Sequence, residues 1–262
     1  MRDMFDLPLI QRETFVRHIE YRDEVDSTNN LALALVEQQE VASPLLVLST
    51  AQTGGRGRGK NRWWSSQGAL TFSLALDGPT HGLPVSSWPQ ASLVTGLAVC
   101  QALRQRISPA DLRVKWPNDV YLQRRKVAGI LIETTANRPA TIVVGVGVNV
   151  NNSFAAAPAE LKETAIACCD VADGPLNLSC LLASILRYIE DELEALADGG
   201  RHRLPERWSE YCFLTGRRIQ VESVAGTATG VCQGIDDQGA LVLVTDSGIQ
   251  SCLAGSVSWL ED

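Results

Sequence analysis

Gly54-Gly55-Arg56-Gly57-Arg58-Gly59-Lys60-Asn61-Arg62-Trp63-Trp64 is the most telling segment of this 262-residue chain. Residues 54–62 hold four cations, four glycines and no acid, in a protein whose net charge is −7. Glycine lets a backbone approach a ligand closely and adopt φ > 0. Arg and Lys bring charge and donors suited to phosphate and carboxylate, and two tryptophans add flat apolar faces. Such a loop can grip a nucleotide's phosphates and stack its base. Two familiar phosphate loops are excluded. Gly54 to Lys60 fits the start of a Walker motif, but Asn61 stands where the Mg²⁺-holding Ser or Thr is needed. A Walker loop also runs into a helix, whereas residues 69–76 alternate like a strand. The Rossmann fingerprint fails because the spacing is G-x-G-x-G and no helix follows. The loop therefore joins two predicted strands, residues 45–50 and 69–76. Taken alone, it also fits a solvated cationic loop or an RNA-binding segment.

Composition narrows the classes. The length suits one large domain, or one large and one small. A hydrophobic content of 45% and a charged content of 20% suit a globular chain with a sizeable core. A pI near 5.1 argues against a dedicated nucleic-acid binder. No run reaches the roughly 18 apolar residues of a membrane span. The N-terminus carries acids where a signal peptide needs basic and then apolar residues. Seven scattered cysteines without a C-x-x-C imply reduced thiols in the cytoplasm, with neither a disulfide framework nor a zinc site. His18, His81 and His202 are too far apart to suggest a triad or metal cluster.

Along the chain, the capping residues Asp26-Ser27-Thr28-Asn29-Asn30 precede a predicted helix at 31–37. A second helix is predicted over 88–106. Strands follow at 112–116, 120–122, 127–133 and 141–150, then a helix at 178–197 stopped by Gly199-Gly200 and a shorter one at 205–213. Composition changes near residue 214. Short strands at 218–222, 230–235, 240–244 and 249–253 then alternate with the turns Asp237-Gln238-Gly239 and Asp246-Ser247-Gly248. The reading is an α/β (α+β) domain over residues 1–213, a mixed sheet with packed helices, followed by a small all-β barrel over 214–262.

Three further constellations stand out. In Lys115-Trp116-Pro117-Asn118-Asp119, proline stops one strand and Asn-Asp turns into the next. An ordinary sheet edge explains this equally well. Lys126 opens the apolar strand Val127-Ala128-Gly129-Ile130-Leu131-Ile132, as a site cation or as a surface lysine. Gly145 and Gly147 share one face of a predicted strand, so something approaches that face closely. Asn149 falls on the same face and could read an adenine edge, or the glycines could serve a tight helix-on-sheet contact.

Taken together and in order, these segments resemble the biotin protein ligases. The matching stretches are Asp26-Ser27-Thr28-Asn29, Gln52, Gly55-Arg56-Gly57-Arg58 with Trp63 and Ser65, Lys115 to Asp119, Lys126 to Leu131, and Gly145 to Asn149. Gly234-Ile235-Asp236, Gly239-Ala240-Leu241 and Ala254-Gly255 resemble the family's terminal barrel. The resemblance runs from about residue 20 to the end. It implies a catalytic domain related to class II aminoacyl-tRNA synthetases and an SH3-like C-terminal barrel. It also implies ATP-dependent activation of biotin as biotinyl-5'-AMP, and transfer to a lysine of a biotin carboxyl carrier protein or domain, with ATP and biotin as substrates and Mg²⁺ beside them. On that resemblance Ser27, Thr28, Asn29 and Gln52 lie by the biotin ring. Arg56, Gly57, Arg58 and Lys126 hold its carboxylate. Arg58, Trp63, Lys126 and Asn149 hold the nucleotide. Arg58, Lys126 and Asp119 are the expected catalytic residues, with Asp119 orienting or deprotonating the acceptor amine; no residue is assigned to a metal, and the Mg²⁺ ligands are not legible.

Many bacterial relatives carry an N-terminal winged helix, and here the motifs begin near residue 26. The expectation is a monofunctional ligase that binds neither DNA nor membrane. Gly59-Lys60-Asn61 departs from the more arginine-rich continuation of those relatives. The nearest alternative activity is a lipoate or octanoate ligase or transferase on a related fold. A biotin sensor without catalysis, or a DNA-binding repressor, is the alternative from another class. The acceptor carboxylase, and the choice between monomer and homodimer, are not legible.

Overall fold

A computed structural model describes residues 4–38, 43–107, 111–198 and 203–259. Its larger part runs α1 (Leu7–Glu13), β1 (His18–Val25), α2 (Thr28–Gln38), β2 (Leu45–Gln52), β3 (Leu70–Asp77), α3 (Trp88–Arg104), β4 (Leu112–Lys115), β5 (Asp119–Leu122), β6 (Arg125–Thr135), β7 (Arg138–Val148), α4 (Ala159–Thr164), α5 (Leu178–Ala197) and α6 (Leu204–Ser209). The smaller part is β8 (Arg218–Ser223), β9 (Gly226–Ile235), β10 (Leu241–Thr245), β11 (Gly248–Cys252) and β12 (Ser256–Trp259).

The seven strands of the large sheet lie in the order β1-β2-β3-β7-β6-β5-β4, with only β1 and β2 parallel. β3 is buried along nearly its whole length, β2 over its first five residues and β7 over its last seven. Their near-continuous apolar runs are what a strand covered on both faces requires. α3 packs on the sheet and on α5, which closes the main core. α2 covers the other face, where Ala32 meets Leu45, Val47, Ala75 and Val143. Pro8 and Pro89 open α1 and α3, and side chains cap α1 and α5: Leu9 N donates to Asp6 and Cys180 N to Asn177, each at 2.9 Å.

The structure departs from the sequence reading at several ends. α2 begins at Thr28 rather than Leu31, because Gln52 Oε1 accepts from Thr28 N at 2.8 Å and satisfies a first-turn donor that has no helical partner. The helix expected over 205–213 stops at Ser209. Tyr211 and Phe213 instead hydrogen-bond the backbone of Val114 at 2.8 Å on either side, pairing the open edge of β4. β7 ends at Val148, so Asn149 lies just past the strand. The stop at Gly199-Gly200 falls outside the described residues.

The second sheet is antiparallel, in the order β11-β10-β9-β8-β12. β12 was not expected, since its mostly exposed residues show no clean alternation. α1, the polar strand β1 and α4 were not expected either. The sheet docks on the larger part: Trp116 Nε1 donates to Gly239 O at 3.0 Å, and Gln90 Nε2 to Asp237 O at 2.7 Å.

Candidate active site

A cavity of 540 Å³ opens on the face of β6 and β7, between the start of α2, the glycine-rich loop, the Lys115-to-Asp119 turn and the corner before β12. Ser27, Thr28, Asn29 and Gln52 line one end. The first three are nearly fully buried, and a string of polar contacts fixes them. Gln52 Oε1 accepts from Thr28 N and, at 3.2 Å, from Thr28 Oγ1. Ser73 Oγ reaches Thr28 Oγ1 at 2.8 Å and donates to Asn29 Oδ1 at 2.5 Å. Asn29 can lie there only because residue 145 is glycine: a methyl group at that position would collide with its amide.

Arg56, Gly57 and Arg58 line the adjoining wall. The loop folds back on itself through Gly57 N to Asn61 O at 2.9 Å and Trp63 N to Gly55 O at 3.0 Å. Its two arginines diverge. Arg56 forms a forked pair with Glu133 at 2.8 and 2.5 Å. Arg58 Nη1 reaches the second sheet and donates to Gly255 O at 2.5 Å. The Trp63 indole lies on Gly147 and Gly129, and a methyl on Gly147 would overlap it. The close approach inferred from the paired glycines is thus made by Asn29 at Gly145 and by Trp63 at Gly147.

Asp119 and Lys126 also line the cavity, and they pair with each other at 2.5 Å. Lys115, on the strand beside them, sits under Trp259 at 4.8 Å and Tyr121 at 5.7 Å from the ring centres. Burial lowers its pKa, and Lys126 adds to the effect while Asp119 opposes it. Asn149 is not in this cavity. It is buried beside a smaller one of 170 Å³, lined also by Trp63, Trp64, Lys126 and Phe154, where its Oδ1 accepts from Asn152 at 3.2 Å. The Trp63 and Trp64 Nε1 atoms are buried without a hydrogen-bond partner.

Ten of the eleven expected site residues therefore line one cavity, and Asn149 lines its neighbour. The sequence reading passed over Ser73, Glu133 and the Gly255-to-Val257 corner. Ser73 and Glu133 did leave a signal: each is a polar residue in or ending an apolar strand.

Known proteins supply an independent comparison. Residues 21–149 match the Biotin/lipoate A/B protein ligase family, and residues 214–260 match the Biotin protein ligase C terminal domain. The chain is 32% identical over 239 residues to the biotin–[acetyl-CoA-carboxylase] ligase of Paracoccus denitrificans, covering 88% of this chain and 96% of that protein. It is 29% identical over 251 residues to the bifunctional ligase/repressor BirA of Bacillus subtilis, covering 95% and 76%. The structure superposes on the Aquifex aeolicus biotin protein ligase in complex with biotin and ATP with a TM-score of 0.80 and 28% identity, covering 94% of this chain and all of that one. The first description covers lipoate as well as biotin ligases, and the second names biotin protein ligases alone. With both matches in one chain, and with a fold and relatives that agree over nearly its whole length, the chain belongs to the biotin protein ligase family.

Proposed function

We propose that this chain activates biotin with ATP and passes the biotinyl group to a lysine of a biotin carboxyl carrier protein or domain. The observation that carries the reading is the meeting, in one cavity, of a buried polar end, a glycine-arginine loop and the Asp119–Lys126 pair. Thr28, Asn29 and Gln52 take the ureido ring, with Ser27 beside them. In the first step a biotin carboxylate oxygen attacks the α-phosphorus of ATP, the bond to the β-phosphate oxygen breaks and pyrophosphate leaves. Carboxylate and triphosphate repel each other. Arg56, Arg58 and Lys126 offset that repulsion and hold the two groups in line, with the Gly57 backbone close by. Trp63 and Asn149 hold the adenine in the smaller cavity. Mg²⁺ would accompany ATP, whose triphosphate oxygens are ligands of the type it prefers, and would supply further positive charge against the repulsion.

In the second step a neutral acceptor amine attacks the mixed anhydride and AMP leaves. Lys126 turns from Asp119 toward the acyl phosphate, which frees the Asp119 carboxylate to receive the amine proton. The glycine-rich loop shields the adenylate from water. We take residues 1–213 as the catalytic unit and 214–262 as the barrel that completes the wall. The reaction is placed in the cytoplasm, and a net charge of −7 gives little purchase on DNA phosphates. No described helix is long and apolar enough to cross a membrane.

The lipoate or octanoate reading draws on the match at residues 21–149. It is disfavoured by the polar end, where a hydrocarbon tail gains nothing from amides and hydroxyls. The test of the whole reading is transfer: with Mg·ATP, biotin and a carboxyl carrier domain, mass spectrometry should find one biotinyl group on one lysine. An unmodified carrier would overturn it.

A further inference from the structure

Glu133 joins the two ends of the cavity. It lies on β6 opposite Val143, two residues past Leu131 and on the same face of the strand. Its carboxylate accepts Arg56 Nη1 at 2.8 Å and Nη2 at 2.5 Å, and Asn29 Nδ2 donates to the same Oε2 at 2.8 Å. Asn29 Nδ2 also reaches Leu131 O at 3.3 Å, while its Oδ1 accepts from Ser73 Oγ. The amide is thereby held in one orientation, with oxygen toward Ser73 and nitrogen toward Glu133. A guanidinium–carboxylate fork fixes the plane of the arginine as well as its position. An ion pair at this exposure, 38% and 22% for the two side chains, adds little to stability. Its value therefore lies in geometry.

We propose that Glu133 is a positioning residue for biotin. It sets the plane of Arg56 at the carboxylate end and the amide orientation of Asn29 at the ring end, and so fixes the spacing between the two grips. The proposal rests on the biotin reading above. Both grips are already made in bound biotin, and only the Arg56 grip also bears on the attack. Loss of Glu133 therefore removes mainly ground-state binding, so the KM for biotin rises by more than kcat falls.

The experiment is calorimetric binding of biotin to the full chain, with steady-state pyrophosphate release, for wild type, Glu133→Gln and Glu133→Asp. Glutamine keeps the shape but cannot accept the whole fork. Its Kd and KM for biotin should rise about tenfold, the scale of one charged hydrogen bond. The KM for ATP and the melting temperature should stay near wild type, and kcat should fall by less than the KM for biotin rises. Glu133→Asp keeps the charge, is too short to hold both partners, and should give a smaller rise in the same parameter. If glutamine does not fold, the aspartate variant decides. In an Arg56→Ala background Glu133→Gln should cost clearly less than it does alone. Unchanged biotin affinity in both variants overturns the proposal, as does an equal loss for biotin and ATP with a lowered melting temperature. Wild type that binds no biotin sinks the substrate reading and this proposal together. Wild type that binds biotin, with variants that match it, sinks this proposal alone.

Discussion

The two ends of the cavity are built differently. At the polar end, Thr28 and Asn29 are 4% and 3% exposed and tied by hydrogen bonds to β2, β3 and β6. At the cationic end Gly57 to Arg62 is half-buried or exposed, and Arg56 and Arg58 are tethered through their own tips to Glu133 and Gly255. The first end is held in place by these bonds before any ligand arrives, and so is suited to selecting the substrate. At the second, Arg58 can exchange its backbone tether at Gly255 for a charged ligand while Glu133 keeps Arg56 in plane, so this end is suited to closing over a reactive intermediate.

Lys126 should mark the chemical limit of that contrast. Lys126→Ala should slow adenylate formation by about 10² or more, the scale of one preorganised charge stabiliser, as read by pyrophosphate release. A near-normal rate would return Lys126 to the role of a partner for Asp119 alone. Next in size, Gly145→Ala should push the Asn29 amide aside and weaken biotin binding about tenfold, whereas Gly59→Ala in the loop should leave it nearly unchanged. Gly59 has φ +66° and nothing within 4 Å of an added methyl, so its cost is backbone strain alone. Equal losses of affinity in the two variants would erase the distinction between the ends. Arg58→Ala should release biotinyl-AMP several-fold faster while changing initial ATP binding less, because in the proposed role its guanidinium would bridge carboxylate and phosphate only once both are joined. A rapid-dilution release assay that shows no acceleration would leave Arg58 as a tether to the barrel.

The smallest effect concerns Lys115. Burial lowers its folded pKa below the ordinary 10.5, so between the two values the unfolded chain binds more protons and stability rises with pH. In Lys115→Met that part of the slope should vanish. Denaturant midpoints that rise equally in both proteins would show that Lys115 is not strained by its charge.

Much of this site was legible because its residues sit in unusual local sequence: a run of cations between glycines, a proline that ends a strand, two glycines inside one. The strands around them were legible for the same reason, since buried strands read as apolar runs. Glu133 and Ser73 were passed over because one charge or hydroxyl in a strand gains meaning only from what crosses it, here Asn29 and Arg56 from distant segments. β1 and β12 were missed because edge strands with exposed, polar residues carry little periodicity. The pairing of Asp119 with Lys126, and of Arg58 with Gly255, is tertiary information that no spacing encodes.

In the proposed reading, the buried polar pocket and the more exposed cationic loop together serve the adenylation of biotin in particular. The most direct test is mass-spectrometric detection of enzyme-bound acyl-AMP with Mg·ATP and biotin, beside parallel reactions with octanoate and with lipoate. The account predicts biotinyl-5'-AMP with stoichiometric pyrophosphate and no comparable adenylate from the other acids. An octanoyl or lipoyl adenylate formed as readily as the biotinyl one, or no biotinyl adenylate at saturating substrates, would contradict it.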